Sequence, residues 1–173
     1  EGIHISEVDM VIEGPNTALV QLPETQASDA DRSIANYVME LLEDGATIQL
    51  GIGALPNTVG ALIAQSDLKD LGVHTEMLAD SYVDMYEAGR ITGRHKGIDK
   101  GKMVYTFAMG TQKLYDFLDN NPAAAIYPVD YTNDPCVIGR NPKVMAINNA
   151  IEVDLFSQVS SESSGTRQIS GTG

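Results

Sequence analysis

The sequence predicts a three-layer α/β/α fold, with helices on both faces of a mixed, largely parallel sheet. Short apolar segments alternate with short helical segments from residue 46 to residue 129, which is typical of parallel strands joined by crossover helices. Residues 144–159 alternate without a helical period, so they predict one or two strands joined by a tight bend, and they make the sheet mixed. The length of 173 residues suits one domain.

The N-terminal part predicts an extended segment and a loop, followed by a helix. Residues 3–12 are rich in β-branched side chains and predict a strand or extended segment, whereas residues 14–26 contain two prolines and predict a connecting loop. Ser28 is a good N-cap for a helix that ends near Gly45. The apolar side of this helix recurs at helical spacing through Ile34, Val38, Leu41 and Leu42.

The remaining elements follow in regular order. The predicted strands cover residues 46–50, 73–76, 103–108 and 123–129, and the predicted helices cover residues 58–65, 81–88 and 111–120. We assign residues 1–27 to a lead-in segment and interdomain linker, and residues 28–173 to the domain itself. Because the chain opens without methionine and closes on a glycine-rich turn, we expect it to be truncated, including at its C-terminus.

Composition excludes several classes of function. The formal net charge of −13 repels nucleic-acid backbones and anionic lipid surfaces, so neither partner is expected. The single cysteine, Cys136, cannot form an internal disulfide and is expected to be a small buried side chain in a reducing cytoplasm. With the three histidines far apart and no cysteine cluster, the sequence predicts no metal site. No membrane-spanning or targeting segment is evident.

A glycine-rich segment follows the first predicted strand of the sheet. Residues 51–57 read GIGALPN and lead directly into a predicted helix, so close backbone approach and the helix N-terminus could together hold an anion. A dinucleotide fingerprint is excluded because Pro56 replaces its third glycine. Taken alone, the segment is more typical of an ordinary tight turn between strand and helix.

A glutamate, Glu76, ends the next predicted strand, within residues 71–77, which read LGVHTEM. The carboxyl ends of parallel strands are where α/β folds bind ligands, so this carboxylate is placed to react. The alternatives are that Glu76 caps the following helix or pairs with a basic residue. His74 shares its strand face, and either lines the same site or is a satisfied structural side chain.

A basic loop stands out in this acidic chain. Residues 90–102 hold five basic residues against one acidic residue, Asp99. The loop could attract phosphate groups, or it could be a solvated glycine-rich loop.

The strings GIGALPN and LGVHTEM, in this order, resemble the family I coenzyme A transferases, specifically the acetyl-CoA hydrolase/transferase family. Further similarity runs through residues 129–135, 149–155 and 160–173, and therefore covers nearly the whole chain. The most similar subgroup is that of the butyryl-CoA:acetate and 4-hydroxybutyrate CoA-transferases. The resemblance implies the catalytic C-terminal half of a two-domain enzyme with a fold like that of the sugar-phosphate isomerases.

The resemblance also implies a chemistry and a set of site residues. Coenzyme A (CoA) would pass from a short-chain acyl-CoA (butyryl-, 4-hydroxybutyryl- or acetyl-CoA) to a carboxylate such as acetate. The reaction would be ping-pong through a glutamyl-CoA thioester, as in short-chain fatty acid and butyrate metabolism. CoA would be a substrate, and no cofactor would be permanently bound. The implied residues are Glu76 as nucleophile, Gly53, Ala54, Leu55, Pro56, Asn57 and Ile151 for CoA, and Asn133 as oxyanion or substrate donor.

The implied partners are the N-terminal domain of the same enzyme and further copies of the chain in a homo-oligomer. Two alternatives stay open at this point. Water could replace the acceptor acid, which would make the protein an acyl-CoA hydrolase. The chain could also be a non-catalytic ligand-binding or regulatory domain on the same scaffold, because fold alone does not fix function.

Overall fold

The computed structural model describes residues 3–23 and 26–170. The strands are β1 (Thr47–Leu50), β2 (Gly72–His74), β3 (Met77–Leu78), β4 (Met103–Tyr105), β5 (Phe107–Ala108), β6 (Ala124–Ile126), β7 (Val144–Ile147), β8 (Glu152–Val153), β9 (Val159–Ser160), β10 (Ser163–Ser164) and β11 (Arg167–Gln168). The helices are α1 (Asp29–Met39), α2 (Ala54–Gln65), α3 (Asp80–Glu87), α4 (Gln112–Leu118), α5 (Val129–Thr132) and α6 (Pro135–Ile138).

The centre of the fold is a five-stranded sheet in the order β6-β4-β2-β1-β7. Every neighbouring pair in it is parallel, with Thr47 opposite both Gly72 and Val144. This confirms the α/β class and the largely parallel sheet. Within residues 144–159, β7 joins the central sheet as a parallel strand, whereas β8 pairs antiparallel with β9 in a separate ribbon, so the central sheet is not mixed. A second separate ribbon, β10 with β11, follows. Residues 148–151 lead the chain away from the sheet after β7.

Helices pack on both faces of the sheet. Helix α1 packs on α2, α2 on α3 and α3 on α4, which forms one continuous layer. Strands β1, β2, β4 and β6 step in one direction, while the connection through α5 and α6 returns to β7 on the far side of β1. A right-handed crossover places that return on the opposite face. The buried core includes Ile48, Leu50, Val73, Tyr82 and Leu114.

Helix α1 confirms the predicted N-cap but not the predicted apolar side. Ser28 and Asp31 form a reciprocal capping box, in which each side chain bonds the other residue's backbone N–H. The helix ends at Met39, earlier than predicted, because the chain then tightens into i→i−3 turns. Ala35 and Leu42 are buried, whereas Ile34 and Leu41 are 47% and 66% exposed. The side that faces α2 is therefore shifted by one residue.

Three further expectations differ from the structure in part or in full. Residues 3–12 were expected to be a strand or an extended segment; they form no strand, and one 3₁₀ turn, Ile5–Glu7, lies between the extended residues His4 and Val8. The strand predicted over residues 123–129 is shorter in the structure, where β6 covers Ala124–Ile126 and Val129 already begins helix α5, with Pro128 as its N-cap. Cys136 is exposed rather than buried.

Residues 1–2, 24–25 and 171–173, on which parts of the predicted linker and of the glycine-rich terminus fall, lie outside the described residues. Among the described helices, α2 is the longest at 12 residues, and none could cross a bilayer, which takes about 20.

Candidate active site

The site lies at the carboxyl edge of the central sheet, where the strand order reverses. Strand β1 has β2 on one side and β7 on the other, although β7 comes last in the chain. The connections that leave β1 and β7 therefore diverge at this edge, which is where open α/β sheets bind ligands. Gly51 follows β1, Asn148 follows β7, and Glu76 lies just beyond β2.

Glu76 occupies a break between strands β2 and β3. Its backbone carbonyl accepts hydrogen bonds from the N–H groups of Thr106 (3.0 Å) and Phe107 (3.2 Å), at the matching break between β4 and β5. The side chain is exposed, and its Oε2 accepts a hydrogen bond of 2.9 Å from Asn133 Nδ2. Within the described residues, Oε1 accepts no hydrogen bond. One carboxylate oxygen is thus held while the other is open to a ligand.

Asn133 lies 57 positions after Glu76 in the chain, in the connection that follows strand β6. It ends helix α5, and its backbone N–H bonds the carbonyl of Val129 at 2.9 Å. The next residue, Asp134, caps α6 by accepting the N–H of Cys136 at 2.7 Å. Two short helices therefore flank Asn133. The structure brings together the two residues that the sequence analysis proposed as nucleophile and oxyanion donor.

Gly53 shapes the start of helix α2. Its backbone has φ +118° and ψ −176°, a region occupied almost only by glycine. It is the N-cap of α2 and offers no side-chain hydrogen bond, so the first N–H groups of the helix, at Ala54 and Leu55, point outward without an intrahelical partner. Pro56 fits the first turn because it lacks an N–H that would need a partner there. The helix begins at residue 54, not at the predicted residue 58.

Asparagines that follow β7 hold the glycine segment from the other side. Asn148 and Gln49 form a reciprocal amide pair, with hydrogen bonds of 3.0 and 2.9 Å. Asn149 Nδ2 donates to the carbonyl of Ile52 at 3.4 Å, and it lies 3.2 Å from the position that a Cβ on Gly53 would take. The space around residue 53 is therefore closed on one side by Asn149.

Tyr82 links the two segments of the site from beneath. Its hydroxyl is fully buried and accepts the backbone N–H of Leu50 at 2.7 Å, just before the glycine segment. The same hydroxyl contacts the side chain of Thr75, the residue before Glu76, and burial raises the pKa of Tyr82 to about 12. Sequence reasoning missed this residue, because no spacing pattern connects a helical tyrosine to a strand end 32 positions away.

A groove of about 680 Å³ opens beside the glycine segment. It extends from the start of α2 to the start of α3, and its floor includes Met77, the neighbour of Glu76. Glu76 itself lies outside the lining. The lining residues are Leu22, Pro23, Ile52, Gly53, Asn57, Ala61, Met77, Ala79, Asp80, Ser81, Asp84, Met109, Thr111 and Lys113.

The backbone N–H of Ile151 already has a partner within the chain and is not available to a ligand. That N–H donates to the carbonyl of Ser160 at 2.8 Å and joins the ribbon of β8 and β9. The side chain is 38% exposed. A role for Ile151 in binding CoA therefore stays a prediction, and it concerns the side chain and the carbonyl group rather than the N–H.

Three of the basic side chains of residues 90–102 have partners within the chain. Arg94 pairs with Asp70, before the amino end of β2, at 3.0 Å, and Lys102 donates to the carbonyl of Pro122. Lys96 is only 1% exposed, and its ammonium donates to the carbonyls of Val73 and Lys102, each at 2.9 Å. Burial lowers the pKa of Lys96 to about 8. Of these three basic side chains, Lys96 is buried, whereas Arg94 remains exposed in its ion pair with Asp70.

His74 is a buried side chain at the end of β2. Its Nε2 lies 2.8 Å from the carbonyl oxygen of Thr132, and burial lowers the pKa of the imidazole. Of the two interpretations of the sequence, it therefore matches the satisfied structural side chain at Nε2.

As for metals, the described part of the chain contains no group of three or more histidine, cysteine or acidic side chains that could hold an ion.

Comparison with known proteins gives a consistent result. Residues 110–173 match the acetyl-CoA hydrolase/transferase C-terminal domain family. The whole chain is 51% identical to the butyryl-CoA:acetate CoA-transferase of Anaerostipes caccae and covers 39% of that protein. It is 44% identical to the 4-hydroxybutyrate coenzyme A transferase of Clostridium kluyveri, over 99% of this chain and 39% of the relative.

The fold has a counterpart among solved structures. RipA from Yersinia pestis superposes with a TM-score of 0.87 at 42% sequence identity, over 93% of this chain and 37% of that chain. The chain therefore spans about two fifths of the length of the relatives it matches.

Proposed function

Since this chain belongs to the acetyl-CoA hydrolase/transferase family, we propose that the protein transfers CoA between a short-chain acyl-CoA and a carboxylate such as acetate. The observation that carries the proposal is the Glu76 carboxylate, exposed beyond the end of a central strand with one oxygen held by Asn133 and the other open. The candidate donors are butyryl-, 4-hydroxybutyryl- and acetyl-CoA. CoA acts as a substrate.

The reaction begins with Glu76 as nucleophile. Oε1 attacks the thioester carbonyl, the C–S bond breaks, and CoA leaves as a thiolate, which gives a mixed anhydride of Glu76 and the acyl group. The thiolate then attacks the glutamyl carbonyl, so that the acyl group leaves as a free carboxylate and Glu76 becomes a glutamyl-CoA thioester. The acceptor acid reverses the two steps. No net proton or electron is gained or lost, since each addition is matched by a leaving anion.

The surrounding residues supply binding and charge stabilisation in this proposal. The N–H groups at the start of α2, around Gly53 and Ala54, suit a negatively charged or carbonyl oxygen of the acyl-CoA. Leu55, Pro56, Asn57 and Ile151 complete the proposed CoA contacts. Asn133 donates to oxygen atoms that become negatively charged in the tetrahedral intermediates, where a fixed donor is worth most.

We also propose that the site is completed by a second domain and that the protein assembles as a homo-oligomer. The coverage of about two fifths of the relatives supports the first point. The alternatives to CoA transfer are acyl-CoA hydrolysis and a non-catalytic binding role, and a covalent labelling experiment distinguishes them. The proposed location is the cytoplasm.

The test is covalent labelling of the full-length protein. After incubation with butyryl-CoA, borohydride should reduce the glutamyl thioester and convert Glu76 into an alcohol that peptide mass spectrometry detects. Glu76→Gln should abolish CoA exchange, and Glu76→Asp should lose much of the rate because the nucleophile is displaced by one methylene. Glu40→Gln, an exposed carboxylate at the end of α1, is the matched control and should keep full activity.

Each alternative predicts a different result. Label on another carboxylate would overturn the assignment of Glu76. Release of butyrate and free CoA without formation of acetyl-CoA from acetate would identify a hydrolase. Binding of acyl-CoA without label or turnover would identify a binding domain.

A further inference from the structure

A second set of contacts, centred on His74, ties together the two residues that form the reactive pair. His74 is the last residue of β2, is 4% exposed, and lies two positions before Glu76. Its Nε2 is 2.8 Å from the carbonyl oxygen of Thr132, which directly precedes Asn133. A carbonyl oxygen only accepts, so Nε2 carries the hydrogen. One imidazole therefore contacts the backbone beside both members of the Glu76 and Asn133 pair.

These contacts close a ring. From His74 the chain runs through Thr75 to Glu76, crosses to Asn133 by the side-chain hydrogen bond of 2.9 Å, and returns through Thr132 to the imidazole. Helix α5 is a single turn of four residues, so its end has few hydrogen bonds of its own to hold it. The bond from His74 adds a fixed point immediately before Asn133. If it is lost, Asn133 can move relative to Glu76.

Burial lowers the pKa of the His74 imidazole and favours its neutral form. The ammonium of Lys96 and the carboxylate of Asp99 are the charged groups near it, and the ring of Tyr131 lies 6.5 Å away, centroid to centroid. Tyr131 in turn donates to Asp99 at 2.8 Å. Nδ1 is buried and has no hydrogen-bond partner in the described structure, so the Nε2–H tautomer is the one that uses the single available contact. A side chain needed only to fill this space would not require that donor.

We propose that His74 is a positioning residue for the CoA-transfer reaction, which orients Asn133 and thereby Glu76 through its Nε2–H bond to Thr132. The inference rests on the proposed function, since it concerns the same reactive pair. His74 does not touch the substrate and acts through Asn133. Its loss should therefore cost no more than the loss of Asn133 itself.

The first test is a double-mutant cycle in the full-length enzyme. Glutamine can place an amide N–H near the position of Nε2, whereas asparagine is one methylene too short, so His74→Gln and His74→Asn are a matched pair of similar polarity. We expect His74→Asn to lower kcat by about 10- to 100-fold, the range expected for a displaced reactive group, with a smaller change in KM. His74→Gln should restore most of the loss.

The cycle is completed in the Asn133→Ala background. There, His74→Asn should lower kcat by less than about twofold further, because the residue through which it acts is gone. Multiplicative losses in the double variant would overturn the proposal, as would equal kcat values for the glutamine and asparagine variants. His95→Gln, at an exposed histidine near Asp70, is the matched control and should leave kcat unchanged.

A readout that does not depend on turnover separates this inference from the proposed function. In ¹⁵N-histidine-labelled protein, the His74 signal, assigned by its absence in His74→Gln, should show a protonated Nε2 and an unprotonated Nδ1 at pH 7. A protonated Nδ1 would overturn the role of His74. If Glu76→Gln kept its activity, the proposed function would be contradicted. If Glu76→Gln were inactive and the effects of His74→Asn and Asn133→Ala on kcat were multiplicative, only the positioning role would be contradicted.

Discussion

Replacing Gly53 by alanine should damage the binding of acyl-CoA selectively. The backbone of Gly53 has φ +118° and ψ −176°, which other residues adopt only with strain, and a Cβ there would lie 3.2 Å from Asn149 Nδ2. Both effects push residue 53 away from its position at the start of α2. The N–H groups that we assign to CoA binding begin at this residue.

The size of the effect follows from the strain. A residue forced into a sparsely populated backbone region costs about 1–3 kcal/mol. If the segment keeps its shape, the free energy of unfolding falls by that amount. If the segment relaxes instead, the start of α2 moves, and the same energy corresponds to about a 5- to 150-fold weaker binding of acyl-CoA. The two losses together should account for the strain.

Gly89→Ala is the matched control. Gly89 also has a positive φ, +74°, but a Cβ there meets nothing within 4 Å, and the residue follows α3 away from the site. It should lose about 1–2 kcal/mol of stability from the left-handed backbone alone and keep its kinetic constants.

The assay is full ping-pong kinetics of the full-length enzyme, with the KM for butyryl-CoA and for acetate measured separately and the free energy of unfolding measured in urea. For Gly53→Ala, the KM for butyryl-CoA should rise more than the KM for acetate. Equal rises in both constants, or an equal rise in Gly89→Ala, would refute the assignment and leave residue 53 as a structural turn only.

Two further predictions concern buried polar groups. Tyr82→Phe leaves the N–H of Leu50 buried without its partner, so the free energy of unfolding should fall by about 1–3 kcal/mol. The control, Tyr37→Phe at a residue that is 69% exposed, should change it by less than about 0.5 kcal/mol. Equal effects of the two substitutions would show that the Tyr82 hydroxyl adds nothing to stability. Between pH 8 and 10, Lys96 is still protonated in the unfolded chain but has lost its proton in the folded protein, where its pKa is about 8. The free energy of unfolding of the wild type should therefore rise with pH, and in urea denaturation it should gain on the order of 2 kcal/mol relative to Lys96→Met over this range. Parallel pH dependences of the two proteins would contradict this prediction.

The elements of the site that could be predicted from the sequence are those whose signal is local. Gly53 and Glu76 each follow an apolar strand, and parallel strands end at the same edge of a sheet, so their approach follows from the topology. Asn133 was reached only through the resemblance to a family, because no local pattern connects it to a residue 57 positions earlier.

The contacts that could not be predicted depend on packing between distant segments. The burial of Lys96 illustrates the limit, since a cluster of basic residues in a glycine-rich loop is typical of a solvated surface. It is buried because Gly72 leaves room for its side chain: a Cβ on Gly72 would lie 2.5 Å from Lys96 Cγ. Nothing in either segment alone indicates that the two fit together. The shift of the buried side of α1 has the same origin, because the position of α2 decides it.

In the proposed reaction, the bond between Asn133 and Glu76 has a further consequence. Oε1 carries the acyl group in the anhydride, so Oε2 is the oxygen that becomes negatively charged when the thiolate attacks the glutamyl carbonyl. Oε2 is the atom that Asn133 already contacts at 2.9 Å. The donor therefore needs no rearrangement and binds more strongly as charge develops, which is the condition for lowering a barrier rather than only binding the ground state. Attack of Glu76 on the thioester places charge on the substrate oxygen instead. That step needs other donors, and the outward-pointing N–H groups at the start of α2 are suited to supply them.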